Sequence, residues 1–284
     1  VKIGIGLPNQ VRDVTPAVLP RWASQAEEAG FSTLGTVGRI AYPGVLDTVA
    51  LAAAAAVTSR IGLFSNVMLA PVWPPVLLAK ELAGIDGISG GRLTLGAGIG
   101  GREDDFVVDG LGPRGLGKRM DHDLEVYRSV WGGKPVGGGA NPAVTSGSRQ
   151  IPLMFGGFAP AALARMAKWG EGYIGASMPA SMVAQSFDGA RAAWREAGRE
   201  GEPRLVAIAY FALGDTEQGR RNVGDYYANL GEEMAGGIAA GLHGTADAVR
   251  EAVRAFDGIG ADELIFNPGT DDPDDIARLA DLVL

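Results

Sequence analysis

Apolar positions along this chain switch repeatedly between two spacings. Short, nearly continuous apolar runs are followed by stretches in which apolar residues recur every three or four positions, the contrast between buried strands and amphipathic helices. KIGIGL (Lys2 to Leu7) reads as the first strand. Thr15 then stands as N-cap and Pro16 as first residue of a helix, with Leu19, Trp22, Ala23, Ala26 and Ala29 on one face and Gly30 as its stop. STLGTV is the second strand, and Asp47 caps an alanine-rich helix through Val57. IGLFSNV is the third strand, Pro75 to Ser89 the next helix and RLTLGAG the fourth strand. After a long loop, Leu124, Tyr127, Val130 and Trp131 give Arg119 to Trp131 helical spacing.

Residues 132–150 are rich in Gly, Pro, Ser and Asn and read as a loop, of a length that is usually functional or mobile. IPLMFGG is the fifth strand, Pro160 to Trp169 a helix, GYIGAS the sixth strand and Met182 to Ala197 a helix. RLVAIAYFAL is the seventh strand, followed by a helical region from Thr216 to Leu242 and a helix capped by Thr245 that runs to about Phe256. ADELIFNPG is the eighth strand, and Pro273 to Val283 closes the chain. Strands and helices alternate throughout, with no linker to divide residues 1–284. A single (β/α)8 (TIM) barrel accounts for this count better than a doubly wound open sheet.

Composition narrows the chemistry. With 284 residues, 46% of them hydrophobic, the chain can bury a substantial core. The formal charge of −8 argues against a nucleic-acid footprint and against electrostatic adhesion to anionic lipid. No cysteine is present, so disulfides, thiolate catalysis and Cys-ligated zinc are excluded. Only His122 and His243 are available as imidazoles, too few for a His-rich metal site, and no metal is expected. No apolar window of about 18 residues occurs, so no transmembrane helix is expected. Val1 to Leu7 has no leader-like pattern, and a soluble cytoplasmic protein is the plain expectation.

Glycine-rich turns follow several of the strands. GAGIGGRED (Gly96 to Asp104) closes the fourth, and GGFAPAA (Gly156 to Ala162) leads from the fifth into a helix whose free backbone N–H groups favour phosphate. Gly175, Ala176 and Ser177 follow the sixth. In a barrel these loops sit together at the C-terminal face, where phosphate sites and active sites are built.

TSRIGLFSNVMLAP, the proline-bearing helix start after it and LAGIDGISGGRLTLGAGIGG resemble the bacterial luciferase-like superfamily of FMN-dependent monooxygenases and F420-dependent oxidoreductases. WASQAEEAGFSTL, RMDHDLEVYRSVWGGKPV, IPLMFGGFAPAALARMAKWGEGYI and GTADAVREAVRAFDGIGADELIF extend the resemblance over nearly the whole chain. It implies a flavin or deazaflavin ring laid against the end of the third strand, at Ser65, Asn66 and Val67, with a bulge and a non-prolyl cis peptide at Asn66-Val67 or its neighbour Ser65-Asn66. Gly98, Gly156, Gly157, Phe158, Gly175, Ala176 and Ser177 would complete the cofactor site. A homodimer is also implied.

The chain departs from that pattern at several positions. Ile99 stands where luciferase-type enzymes use a phosphate-binding Arg, and Ala159 and Ala162 where they use hydroxyls. Gly38 and Arg39 stand where many relatives place a His or Asp. The catalytic group is therefore unassigned, with Arg39, Tyr42 and His122 as candidates, His243 as a turn residue and Trp73 as a possible pocket wall. Arg102 is a candidate for phosphate or for an ion pair with Glu103, Asp104 or Asp105, and the loops 107–118 and 132–150 are candidate covers. The expected function is an FMN-dependent oxidoreductase acting on a small organic molecule, with F420 as alternative cofactor. The competing readings are a degenerate, non-catalytic flavin-binding barrel and a hydrolase using Asp104 and Asp105.

Overall fold

A computed structural model describes residues 1–284. The strands are β1 (Lys2–Gly6), β2 (Thr33–Thr36), β3 (Gly62–Leu69), β4 (Leu93–Gly98), β5 (Leu153–Gly156), β6 (Gly172–Ile174), β7 (Arg204–Phe211) and β8 (Glu263–Pro268). They form a closed barrel in sequence order, each parallel to the next, and β1 returns to pair with β8. The helices are α1 (Val18–Ala29), α2 (Asp47–Val57), α3 (Pro75–Ile88), α4 (Leu116–Trp131), α5 (Pro160–Trp169), α6 (Ala180–Glu196), α7 (Thr216–Tyr226), α8 (Glu232–Ala240), α9 (Ala246–Gly258) and α10 (Asp274–Val283). The (β/α)8 architecture read from the alternation is the one observed. No helix is long and apolar enough to cross a membrane.

Side-chain alternation along the strands separates two cores. On β7, Leu205, Ala207, Ala209 and Phe211 belong to the layer packed between sheet and helices. Their neighbours Val206 and Ile208 join Phe64, Met154, Ile174 and Ile265 inside the barrel. Glu263 is buried in β8, where Arg204 pairs with it and Ser32 Oγ donates to it at 2.6 Å.

Several local expectations are corrected. Helix α1 begins at Val18, because Thr15 and Pro16 form a turn whose carbonyls accept from Val18 and Leu19. Asp47 is the first residue of α2 rather than its cap; its buried carboxylate accepts only from the Thr48 amide. The Thr216–Leu242 region is two helices, parted by a 3-10 turn and by Gly231 at φ 89°, a left-handed value that suits glycine. Thr245 caps α9 as expected, accepting from the Ala248 amide. The loop 132–150 is tied to α3: Arg149 pairs with Asp86 at 2.8 Å, and Lys80 donates to the Ala143 carbonyl.

Candidate functional site

The C-terminal ends of the strands surround a central cavity of about 330 Å³. Strand β3 makes one wall. Its register against β4 shifts between Ser65 and Met68, and the Asn66-Val67 peptide is cis, the first of the two expected bonds. The shift turns both Asn66 and Val67 toward the cavity. Gly98 from β4, Gly156, Gly157 and Phe158 after β5, and Gly175, Ala176 and Ser177 after β6 line the same space. Ser65 does not. It is fully buried, and its hydroxyl donates to the Gly96 carbonyl and accepts the Gly96 amide, which clamps β3 to β4 below the cavity.

Two of these glycines are required by close approach. A Cβ on Gly98 would lie 2.7 Å from Val67 Cγ2, and one on Gly38 would lie 2.8 Å from the Val67 carbonyl and 2.9 Å from the Asp47 carboxylate. The second contact explains the missing acid or base after β2. A side chain at position 38 would collide with the bulge of β3.

The catalytic candidates do not converge on the cavity. Arg39 is buried beside Asp105, which is fully buried and also accepts from the Ile40 and Ala41 amides at 2.8 and 2.9 Å. Arg39 also binds Asp104 at 2.8 Å. The trio ties the loop after β4 to the loop after β2, so Arg39 is neither a surface ion pair nor a free anion site. Asp104 and Asp105 are likewise committed, which removes the carboxylate pair a hydrolase would need. The Tyr42 hydroxyl donates to Asp225 at 2.8 Å. His122 is exposed on α4, and Trp73 packs against the core; neither lines the cavity. The loops 107–118 and 132–150 contribute nothing to its lining.

Arg102 is the one charged residue in the lining. It makes no ion pair with its acidic neighbours. Its guanidinium lies over Tyr226 at 4.8 Å and Tyr227 at 5.5 Å and donates to Asn229 at 2.7 Å. The two tyrosines come from the end of α7 and the turn after it. No motif marked them, because the chain reaches the mouth only by folding the β7–β8 connection back over it. Tyr227 shares a 3.1 Å hydroxyl–hydroxyl hydrogen bond with Tyr210. Burial raises the pKa of both phenols, so both stay protonated at neutral pH and one donates to the other.

Two further features fit a ligand with a hydrogen-bonding ring edge and an anionic tail. Asn66 is 3% exposed, and its side-chain carbonyl has no partner, an arrangement that costs about 1–3 kcal/mol unless a ligand or water donates to it. The amino end of α5 has no side-chain cap, and the Phe158, Ala159 and Ala161 amides donate to no group of the chain. Such an end attracts anions. A smaller cavity of about 260 Å³ adjoins it beneath Gly157 and Phe158, between α5 and α6. No cluster of three His, Asp or Glu side chains suited to a metal is present.

Comparison with known proteins agrees with this fold. The fold resembles an F420-dependent secondary alcohol dehydrogenase in complex with an F420-acetone adduct, with TM-score 0.81, 14% identity and coverage of 99% of this chain and 98% of that one. It also resembles the oxygenating constituent of 3,6-diketocamphane monooxygenase from Pseudomonas putida in complex with FMN, with TM-score 0.73, 16% identity and coverage of 99% and 95%. An uncharacterized protein of Mycobacterium tuberculosis is 30% identical over 240 residues, covering 72% of this chain and 82% of that protein. The luciferase-like monooxygenase family model matches residues 2–231, and the chain belongs to that family.

Proposed function

We propose that the chain is an oxidoreductase that binds a reduced flavin or deazaflavin in the central cavity and acts there on a small organic substrate. The carrying observation is the convergence of Asn66, Val67, Gly98 and the loops after β5 and β6 on one cavity. When bound, the cofactor supplies hydride or the electrons that activate oxygen.

The chain's own residues would orient and shield it. Asn66 and Val67, with the flanking backbone, would form the wall against which the ring is held. The bare amides at the start of α5 hold the phosphate in place of the absent Arg and hydroxyls. Arg102 would set positive charge at the edge, beside the neutral phenol of Tyr227. Leu69, Ile174 and Ile208 keep water out. FMN is the first choice. F420 is the alternative, favoured by the same backbone-only phosphate contacts.

Titrating the protein with FMN, reduced FMN and F420 by fluorescence tests this reading, followed by assays for NADPH- or F420H2-linked turnover. Failure to bind all three would sink it. Ile99, Ala159 and Ala162 favour a second reading, a barrel that binds cofactor without turnover. That outcome would appear as binding with no consumption of reductant.

A further inference from the structure

A second, larger cavity opens beside the first. Its volume is about 970 Å³, at the upper end of the range that holds small molecules. It lies between α8, α9 and the loop that enters α6. Ser177 and Ile208 line both cavities, and Tyr227 of the central one meets Tyr210 of the lateral one through their hydroxyls.

The walls follow from helical spacing. Met234, Gly237, Ile238 and Gly241 form one face of α8, and Ala248, Glu251, Ala252 and Ala255 form one face of α9. Small residues on the two faces leave the space between them unfilled, and Met178, Ile208 and Phe256 supply apolar surface. The charged residues in the lining are Glu232, Glu233 and Glu251, all exposed, and no Lys or Arg contributes. Inside, the His243 backbone is fixed against β7 by hydrogen bonds to Tyr210 and Ala212, while its imidazole bonds to nothing in the chain.

We propose that this lateral cavity is the substrate pocket of the oxidoreductase, and that it takes apolar organic molecules that are neutral or cationic, with His243 as the group that meets their polar atom. The assignment rests on the cofactor occupying the central cavity. Because Ser177 and Ile208 line both cavities, a molecule lodged between α8 and α9 would lie against the same side chains as the cofactor. The three carboxylates at the rim reject carboxylates, phosphate esters and coenzyme A thioesters by charge. Burial lowers the His243 pKa, which leaves a neutral imidazole able to accept or to donate at neutral pH.

The test uses two dyes that share an aromatic body, neutral N-phenyl-1-naphthylamine and anionic anilinonaphthalene sulfonate, titrated into the full chain by fluorescence. The neutral dye is expected to bind at least about 10-fold more tightly than the sulfonate. Gly237→Trp fills the cavity from α8, where an added Cβ meets nothing within 4 Å, so the variant is expected to fold. It should weaken the neutral dye by about 10-fold or more and leave FMN or F420 affinity within about 2-fold, while Gly237→Ala changes neither. Equal binding of the two dyes would overturn the proposal, as would full affinity in Gly237→Trp. Exclusion of both dyes from a protein that sediments as a dimer would also overturn it, because a second copy would then cover the cavity. If the neutral dye binds as expected but no flavin or F420 does, the cofactor reading fails and the lateral pocket stands as a binding site alone.

Discussion

The two cavities at the barrel mouth are walled by different materials. The central one is built from strand ends, backbone and glycine, and buried polar contacts brace it: Ser65 to Gly96, and Arg39 to Asp105. The lateral one is built from the faces of two helices carrying small side chains, with acidic residues at its rim. Positions on a closed sheet are fixed by hydrogen bonds on both sides. A helix face changes shape whenever one small residue becomes larger. The central cavity is therefore suited to a ligand of fixed shape, and the lateral one to ligands of varied shape.

The sharpest way to break this contrast is to fill each cavity in turn. Gly98→Leu drives a side chain into Val67 and is expected to weaken cofactor binding roughly 10- to 100-fold. Gly237→Trp is expected to spare it. Equal losses in cofactor titrations of both variants would show that the cavities are one site.

Removing the brace acts on stability rather than on binding. Arg39→Ala leaves the fully buried Asp105 without its charged partner and should cost about 3–5 kcal/mol in denaturant unfolding. A loss of cofactor affinity without any loss of stability would instead make Arg39 part of the binding site.

Asp47 sharpens the contrast through pH. Burial, with a smaller contribution from Glu81, raises its carboxyl to about 7 from an ordinary 3.8. The folded state therefore holds a proton that the unfolded state releases, and stability falls as pH rises from 3.8 to about 7. Asp47→Asn should gain stability over the parent across that interval and hold the gain above it, read as the difference between their unfolding midpoints. A pH-independent difference would show that the carboxyl does not titrate behind the β3 bulge.

The smallest effect is at the seam. Tyr227→Phe removes the hydroxyl bond to Tyr210 and should cost about 1 kcal/mol in stability. A change in cofactor affinity beyond about 10-fold would place that hydroxyl on the ligand.

Much of the central cavity was legible in the chain. The run from Gly62 to Leu69 and the glycine turns after β4, β5 and β6 are local patterns, and their positions on the barrel follow from strand order. Ser65 was misplaced because the bulge, which lets Asn66 and Val67 both face the cavity, leaves its hydroxyl buried on β4. Arg39 stood as a catalytic candidate because its buried partners lie more than sixty positions away.

The lateral cavity was not legible at all. Glycine and alanine on α8 and α9 look like ordinary helix positions, and His243 like a turn residue. Helical spacing shows which residues share a face, and leaves open what that face meets.

The sequence by itself determined the alternation of elements, the barrel and the family, because those depend on local periodicity and on motifs in fixed order. The tertiary structure decided which polar groups stay free. Pairing committed Arg39, Asp104 and Asp105 to one another and left the Asn66 side-chain carbonyl and the His243 imidazole without hydrogen-bond partners. It also decided that the β7–β8 connection folds over the mouth and brings Tyr226, Tyr227 and a second cavity to the site. Both outcomes depend on contacts between residues far apart in the chain, which no local pattern encodes.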